Sequence, residues 1–102
     1  MAQIIWTEPA ISDLDKIAEY TALDKPEAAG NLVKRVFEAV ERLKQFPNSG
    51  KKPPELSRNT RYSEIIIGPC RIFYRVDKNK VFVLYVMRSE RVLRQYILSD
   101  RM

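Results

Sequence analysis

Arginines are the residues of this chain whose type and spacing best suit chemistry, and the clearest pattern lies on one predicted strand. Arg71 and Arg75 flank Phe73 at alternate positions, and alternate residues of a strand lie on the same face of a sheet. A cationic strip with an aromatic ring between its charges suits phosphates or an acidic groove. The same spacing also fits an ordinary solvated face, or ion pairs of these arginines with Glu55 and Glu64, so both interpretations stay open.

A second set of arginines follows the last predicted strand. Arg88, Arg91 and Arg94 recur every three residues, which on a helix places them along one stripe. Arginines near the start of a helix oppose its dipole, and this weakly favours a role other than helix stability. We interpret the three as the effector surface, the alternative being a solvated helix face. Together with Arg71 and Arg75 they form the predicted target-binding set.

Other catalytic chemistries lack their usual residues in this sequence. The chain has no histidine and a single cysteine, Cys70, whose apolar strand context predicts a buried, inert thiol instead of a nucleophile. No carboxylates are clustered at the spacing of metal ligands, and the sequence contains no glycine-rich phosphate loop. We therefore expect neither a metal site nor a cofactor.

Length and composition indicate one small globular domain spanning residues 1–102. Apolar residues make up 45% of the chain and charged residues 30%, which is typical of soluble proteins. No segment approaches the roughly 18 apolar residues of a membrane span, and the first residues lack the pattern of a secretory signal. A single cysteine fits a reducing compartment. These features predict a cytoplasmic protein with no membrane partner.

The net charge of +5 is unevenly distributed along the chain. Residues 1–50 contain 6 basic and 8 acidic side chains, whereas residues 51–102 contain 12 basic and 5 acidic ones, for a net charge of +7. Such asymmetry indicates an acidic partner: a nucleic acid, an acidic protein segment or an enzyme that acts on nucleic acids.

Two helices are predicted after a short edge strand at residues 3–6. Thr7 is a good N-cap for the first helix, and apolar residues then recur at helical spacing. Pro26 starts a second helix, whose apolar positions continue to Phe46, and Pro47 ends it. Because the link between the two helices is short, we expect an αα-hairpin.

Three strands are predicted after a proline-rich loop at residues 47–60. Residues 62–67 are β-branched and apolar, and residues 70–76 alternate between two faces. Residues 81–87 are apolar throughout, which predicts a central strand covered on both faces.

A short last helix is predicted from an N-cap at Ser89. Its apolar side is expected to carry Val92, Leu93, Tyr96 and Ile97. The resulting order is β-α-α-β-β-β-α, which predicts an α+β fold in which the αα-hairpin covers one face of an antiparallel sheet.

The ordered motifs of the chain resemble one known family. They are the opening "WTEPAISDLDKIAEY", then "LKQFPNSGKKPPEL", and then "YSEIIIGPCRIFYRVDKNKVFVLYVMRSER". This set is similar to the RelE/ParE superfamily of toxins from bacterial type II toxin–antitoxin systems, and the resemblance covers essentially the whole chain. It implies a RelE/ParE-like fold in a single toxin domain.

Two activities occur on this scaffold, so fold alone does not choose between them. RelE-like members are ribonucleases that cut messenger RNA in the ribosomal A site, and ParE-like members inhibit DNA gyrase. If this chain is a ribonuclease, the resemblance assigns catalytic roles to Arg71, Lys51 and Lys52. The position of the family's catalytic tyrosine falls on Gln95, and we expect Tyr96, one residue further, to face the core.

The long αα-hairpin, the "LKQFP" turn and the "GPCRIFYRV" strand resemble the ParE branch. This resemblance implies a toxin that inhibits DNA gyrase and blocks replication, for which no catalytic residues are expected. Two alternatives remain open. One is a ribosome-dependent endoribonuclease, and the other is a non-toxic module that only binds an antitoxin.

The resemblance also implies a partner, a cognate antitoxin that is ParD-like or related and whose C-terminal segment folds on the toxin. The expected docking surface is the αα-hairpin and the open sheet edge, where a helix and a strand can be added. Operator DNA would be reached only through the antitoxin. A homodimer or a higher toxin–antitoxin assembly is a further expectation, and exposed apolar patches should make the free toxin self-associate. The residues expected to contact the antitoxin are Leu14, Ile17, Val33, Phe37 and Val40.

Overall fold

The computed structural model describes residues 1–101 and contains the predicted helices and strands in the predicted order. The strands are β1 (Gln3–Trp6), β2 (Tyr62–Ile67), β3 (Cys70–Asp77) and β4 (Lys80–Arg88). The helices are α1 (Glu8–Asp24), α2 (Pro26–Glu41) and α3 (Gln95–Arg101). The α+β class and the order β-α-α-β-β-β-α are confirmed. Among the described residues, no helix is long and apolar enough to cross a membrane.

The four strands form one mixed sheet in the order β1-β4-β3-β2. β2, β3 and β4 pair antiparallel, but β1 runs parallel to β4, so the expectation of a fully antiparallel sheet is wrong at this edge. β1 lies beside the last strand instead of a hairpin partner, and parallel neighbours of this kind are joined by long connections. β4 is central, as predicted, and Val83 and Leu84 are both 0% exposed.

Both helices of the αα-hairpin begin where the sequence predicts. The hydroxyl of Thr7 accepts a hydrogen bond from the Ala10 amide at 3.4 Å and donates one to the Val83 carbonyl at 2.8 Å. Thr7 therefore caps α1 and also ties it to β4. Pro26 opens α2, where its missing amide hydrogen has no intrahelical partner to lose.

The second helix is shorter than predicted. α2 ends at Glu41 and a 3-10 turn follows at Arg42–Lys44. The tighter turn directs Leu43 into the core, where it is 1% exposed, and leaves Phe46 beyond the helix at 61% exposure. The apolar spacing that predicts a helix to Phe46 is therefore wrong over its last turn.

Side chains of β3 alternate between two apolar clusters. Ile72 and Tyr74 belong to the main core between the sheet and the αα-hairpin. Phe73 belongs to a second cluster on the opposite face, which it shares with Leu93 and Leu98 from the C-terminal segment. The alternation predicted for this strand is confirmed, and the C-terminal segment covers part of the face that a two-layer sandwich leaves open.

The last helix begins later than predicted. Residues 89–94 form turns and irregular backbone, and α3 starts at Gln95. Val92 is 72% exposed and Tyr96 is 63% exposed, whereas Leu93 is 4% exposed. The predicted N-cap at Ser89 and the inward orientation of Tyr96 are wrong, and the predicted apolar side holds for Leu93, with Ile97 half-buried, but not for Val92 or Tyr96. The helix starts late because the backbone of residues 91–93 bonds to the Arg71 cluster.

Candidate functional site

Arg71 lies at the centre of a buried ion-pair cluster on the sheet face opposite the αα-hairpin. Its Nε and Nη2 atoms donate to the two carboxylate oxygens of Glu64 at 2.8 and 3.0 Å. Its Nη1 and Nη2 atoms donate to the two oxygens of Glu55, both at 2.7 Å, and Nη1 also donates to the Arg91 carbonyl at 3.2 Å. These five hydrogen bonds match the five N–H donors of a guanidinium, so no donor is left for a phosphate.

The strand register explains why this cluster forms. Glu64 of β2 lies opposite Phe73 of β3, so Arg71, two residues along β3, is its diagonal neighbour on the same face and within reach of a long side chain. Glu55 approaches from the loop before β2. The result is that Arg71 is 6% exposed and Glu64 is 1% exposed, and the interpretation of Arg71 as an ion-paired residue is the one that the structure supports.

The electrostatics of the cluster follow from these contacts. The hydrogen bonds from Arg71 hold the pKa of Glu55 at about 2, against the opposing effect of burial and with help from the Leu93 amide. The Leu93 amide donates to Glu55 Oε2 at 3.0 Å. In return the two carboxylates raise the pKa of Arg71. Because two carboxyl groups enclose one guanidinium, the cluster presents no cationic patch.

Arg75 does not extend a cationic strip either. Its guanidinium lies 4.6 Å from the centre of the Phe82 ring and 3.6 Å from the carboxylate of Asp77, and its side chain is 13% exposed. Phe73, which was expected to present its ring between the two arginines, is 0% exposed. The prediction of an exposed strip over Arg71, Phe73 and Arg75 is wrong, because the C-terminal segment and the loop before β2 cover much of this face.

The accessible arginines of the predicted target-binding set lie in residues 88–94, from the last residue of β4 to the residue before α3, which we call the cationic segment. Arg88 ends β4, pairs with Glu90 at 2.6 Å and lies 4.8 Å from the centre of the Tyr20 ring. Arg91 and Arg94 are exposed. Because no helix spans these positions, the prediction of one helical stripe is wrong, although all three arginines remain accessible to a partner.

The residues assigned to ribonuclease chemistry by resemblance do not converge on Arg71. The backbone of Lys51 pairs with that of Glu64 through hydrogen bonds of 3.0 and 2.8 Å, while both Lys51 and Lys52 are exposed. Lys52 Nζ donates to the Thr60 carbonyl at 2.8 Å. The donors of Arg71 are occupied by Glu55, Glu64 and the Arg91 carbonyl, and neither lysine is among these partners.

A groove runs between α1 and the free end of β4. Its lining includes Ile17, Tyr20, Tyr85, Met87, Arg88 and Arg91. It continues past Tyr20 toward the tip of the αα-hairpin, where Leu23 and Pro69 line a second depression. Tyr20 is 61% exposed and Leu23 is 86% exposed. This apolar surface with arginines at its side is typical of a protein-binding site.

The residues predicted to bind an antitoxin divide between this surface and the core. Leu14 and Val40 are 2% and 1% exposed and pack in the main core, so their inclusion in a docking surface is wrong. The helical spacing marked them as apolar but could not say which apolar residues the sheet covers. Ile17 lines the groove, Val33 is half-buried against the core, and Phe37 is 43% exposed.

Sequence reasoning missed Tyr20 and Leu23, which contribute most of the exposed apolar surface at the hairpin tip. The sequence did contain a pattern that includes both residues, because Tyr20 and Leu23 continue the three-residue spacing that starts at Ile17. This spacing could not show that the two side chains are exposed, since only the tertiary structure shows that α1 extends beyond the sheet that would cover them.

The free edge of β4 is closed by side chains instead of a strand. β1 pairs with β4 only as far as Trp6 and Val83. Beyond that point the Val86 amide donates to Asp13 at 3.1 Å, and the Leu84 carbonyl accepts from Arg101 at 3.1 Å. Asp13 and Arg101 also form an ion pair with each other. α1, β4 and α3 are thus joined at the edge of the groove.

The chain is thus a small α+β protein in which an αα-hairpin covers a mixed sheet, with an apolar groove and an arginine-rich segment beside it. The family of the ParE toxin of type II toxin–antitoxin system, parDE, matches residues 4–93. The chain belongs to this family, and it is a type II toxin of the RelE/ParE superfamily.

Two relatives in sequence are toxins by description. A putative toxin Y4kP of Sinorhizobium fredii is 36% identical over 87 residues, covering 85% of this chain and 88% of the relative. Toxin RelE2 of Caulobacter vibrioides is 28% identical over 92 residues, covering 90% of this chain and all of the relative. One relative thus carries the RelE designation although the family is ParE.

Two solved structures share the fold. The chromosomal ParDE toxin–antitoxin system of P. aeruginosa contains a chain that superposes with a TM-score of 0.74 at 28% identity, covering 88% of this chain and 98% of that one. The RelBE2 toxin–antitoxin complex of Mycobacterium tuberculosis gives a TM-score of 0.56 at 24% identity, covering 85% and 96%. The second likeness is one of fold alone.

Proposed function

We propose that this toxin inhibits DNA gyrase and thereby blocks replication, and that it acts as a binding protein and not as a catalyst. The observation that carries the proposal is the closed cluster around Arg71. The arginine that resemblance assigns to RNA cleavage has no free donor for the charged phosphorane that such a reaction must stabilise. The chain also lacks histidine, the commonest general acid–base residue.

The cationic segment is the part of the predicted target-binding set that best fits this role. Arg91 and Arg94 are exposed, with the exposed side chains of Val92 and Tyr96 near them in sequence. Arginine and aromatic residues are enriched where protein interfaces are strongest. Arg71 and Arg75 have their charges engaged within the chain, so we assign the target contact to the cationic segment.

A cognate antitoxin, ParD-like or related, is proposed to silence the toxin by filling the groove between α1 and β4. The groove offers an amphipathic helix an apolar lining at Ile17 and Tyr20. The strand β2 lies at the other edge of the sheet, where Lys51 already pairs with Glu64 and Ile66, two residues further, is 48% exposed. An added antitoxin strand is placed beside Ile66. An acidic antitoxin would complement the +7 of residues 51–102, and operator DNA would be bound through the antitoxin. Such a pair acts in the cytoplasm.

The deciding experiment adds the purified toxin, freed of antitoxin, to gyrase with plasmid DNA and ATP. Lost supercoiling and trapped linear plasmid, with messenger RNA left intact by ribosomes in a parallel reaction, are the expected results. The double substitution Arg91→Ala with Arg94→Ala should weaken gyrase inhibition. The matched control is Lys25→Ala with Lys34→Ala, which removes two exposed charges from the hairpin and should leave inhibition unchanged.

A ribosome-dependent endoribonuclease is the second candidate. The observation that favours it is the exposure of Tyr96, Lys51 and Lys52, since tyrosine and lysine side chains can transfer protons or stabilise the charge of a phosphate. Cut messenger RNA with intact plasmid would establish it in place of gyrase inhibition. Tight antitoxin binding without growth arrest or either activity would identify a non-toxic module.

A further inference from the structure

The cationic segment is attached to the sheet by few contacts, and the Arg71 cluster supplies two of them. Arg71 Nη1 donates to the carbonyl of Arg91, and Glu55 Oε2 accepts from the amide of Leu93. The segment's other backbone bonds lie near its two ends: the Ser89 amide donates to the Pro69 carbonyl, the Arg91 amide donates to the Arg88 carbonyl, and the Arg94 carbonyl accepts from the Ile97 amide. The middle of the segment is therefore held by the cluster and by the buried side chain of Leu93.

Two members of the cluster stand on paired strands of the sheet. Glu64 and Arg71 stand on the paired strands β2 and β3 and are 1% and 6% exposed. Arg71 reaches the segment directly at the Arg91 carbonyl. Glu55 adds a second link, because it binds Arg71 with both oxygens and Leu93 with one. A bidentate guanidinium–carboxylate pair has a defined geometry, so the orientation set in the sheet is transmitted to residues 91–93.

We propose that the cluster of Glu55, Glu64 and Arg71 is a positioning device that presents the cationic segment to the toxin's target, and that Arg71 touches no target itself. This rests on the proposed function only in that the toxin acts through that segment. The device reduces the conformational freedom that the segment would lose on binding, which is how a rigid loop gains affinity over a flexible one.

The substitution Glu55→Gln distinguishes a positioning role of Arg71 from a direct contact with the target, because the two roles predict opposite changes in toxicity. If Arg71 positions the segment, removing the Glu55 carboxylate loosens residues 91–93 and lowers toxicity. If Arg71 contacts the target while Glu55 restrains it, the same change frees a positive charge and raises toxicity. The matched control is Glu41→Gln, because Glu41 is an exposed residue that pairs with Lys44, three residues further along the chain, and the change in charge is identical.

The experiment measures two quantities in each variant: hydrogen exchange of the Leu93 amide relative to the Val83 amide, and the expression level that arrests growth without antitoxin. Glu55→Gln should speed the relative exchange at Leu93 about tenfold or more and raise the arresting dose by a similar factor, as expected for loss of a charge-assisted hydrogen bond. Glu41→Gln should change neither. Glu55→Asp, which keeps the charge, should give intermediate values and serves if the glutamine variant folds poorly.

Three results would overturn the proposal: a lower arresting dose for Glu55→Gln, an unchanged relative exchange at Leu93, or faster exchange with unaltered toxicity. Growth arrest follows whether the toxin inhibits gyrase or cuts messenger RNA. The experiment therefore tests the positioning role of the cluster in either case. If the unsubstituted chain arrests nothing, the proposed function fails, and exchange at Leu93 alone still decides whether the cluster holds the segment.

Discussion

Glu55 and Arg71, 16 residues apart in the chain, meet through two hydrogen bonds of 2.7 Å between their carboxylate and guanidinium groups. This contact joins the loop before β2 to the start of β3. Because Glu64 occupies the other side of the same guanidinium, the arginine that most suggested surface chemistry in the sequence is a structural centre.

The first prediction concerns removal of the guanidinium. Arg71→Ala leaves Glu64, which is 1% exposed, as a buried carboxyl group without its partner, so the free energy of unfolding should fall by about 3–5 kcal/mol. Urea denaturation measures this loss. Arg75→Ala is the control, since its ion-pair partner Asp77 is 56% exposed, and it should cost about 1 kcal/mol. Equal losses for the two variants would contradict the special role of the cluster.

The second prediction concerns acid. The folded protein holds the pKa of Glu55 at about 2, below its ordinary value of 4.5. A lowered pKa stabilises the fold above the unfolded value and loses that stabilisation as the carboxylate takes up a proton. The free energy of unfolding should therefore decline between pH 4.5 and about 2, and Glu55→Gln should flatten part of this decline.

Denaturation by urea at a series of pH values measures the acid dependence. The control is Asp77→Asn, because the side chain of Asp77 is half exposed. This substitution should leave the decline in the free energy of unfolding in place. A profile for Glu55→Gln that is parallel to that of the unsubstituted protein over this range would show that the Glu55 carboxylate contributes nothing to acid sensitivity.

The third prediction concerns the free toxin in solution. Leu23 is 86% exposed at the hairpin tip, so without antitoxin the protein should self-associate at high concentration, as light scattering after gel filtration would detect. Leu23→Glu should reduce this association and weaken binding of the antitoxin about tenfold or more. Phe46→Glu, at a comparably exposed apolar residue away from the groove, should preserve antitoxin affinity. A free toxin that stays monomeric would refute the first part.

The fourth prediction concerns the edge of β4. Arg101→Ala removes a partly buried ion pair with Asp13 and a donor to the Leu84 carbonyl, so the free energy of unfolding should fall by about 1–2 kcal/mol. The amide of Val86, which donates to Asp13, should exchange faster. Asp100→Ala changes an exposed neighbour on the same helix and should alter neither quantity. Unchanged exchange at Val86 would mean that Asp13 holds the edge without Arg101.

The fifth prediction contrasts two glycines. An added Cβ at Gly50 would lie 2.7 Å from the Glu64 carbonyl and would collide with the hydroxyl of Tyr74, whereas Gly30 has nothing within 4 Å. Gly50→Ala should therefore destabilise the protein by about 1–3 kcal/mol, as overpacking does. Gly30→Ala lies within α2 and should stabilise it by up to about 1 kcal/mol. Thermal unfolding of both variants checks the opposite signs.

The sequence by itself determined the elements and the fold class. Proline and capping residues act on the backbone beside them, so Thr7 and Pro26 marked the two helix starts correctly. The alternation from Cys70 to Val76 marked the two faces of β3, since the period of a strand is a local property. The ordered motifs resemble those of the RelE/ParE toxins and identified the superfamily. They could do so because each motif reflects a local requirement, such as a helix start, a turn or the two faces of a strand.

Only the tertiary structure decided which charged and apolar residues are accessible. An arginine has the same spacing whether it is solvated or enclosed by two carboxylates, and Arg71 is enclosed because Glu55 arrives from a distant loop. The same contacts keep residues 91–93 out of the helix that their spacing predicts. β1 lies parallel to β4, and Tyr20 and Leu23 stay uncovered, because strand order and the extent of the sheet depend on packing between segments far apart in the chain. Burial of this kind is a property of the assembled fold, and no local pattern encodes it.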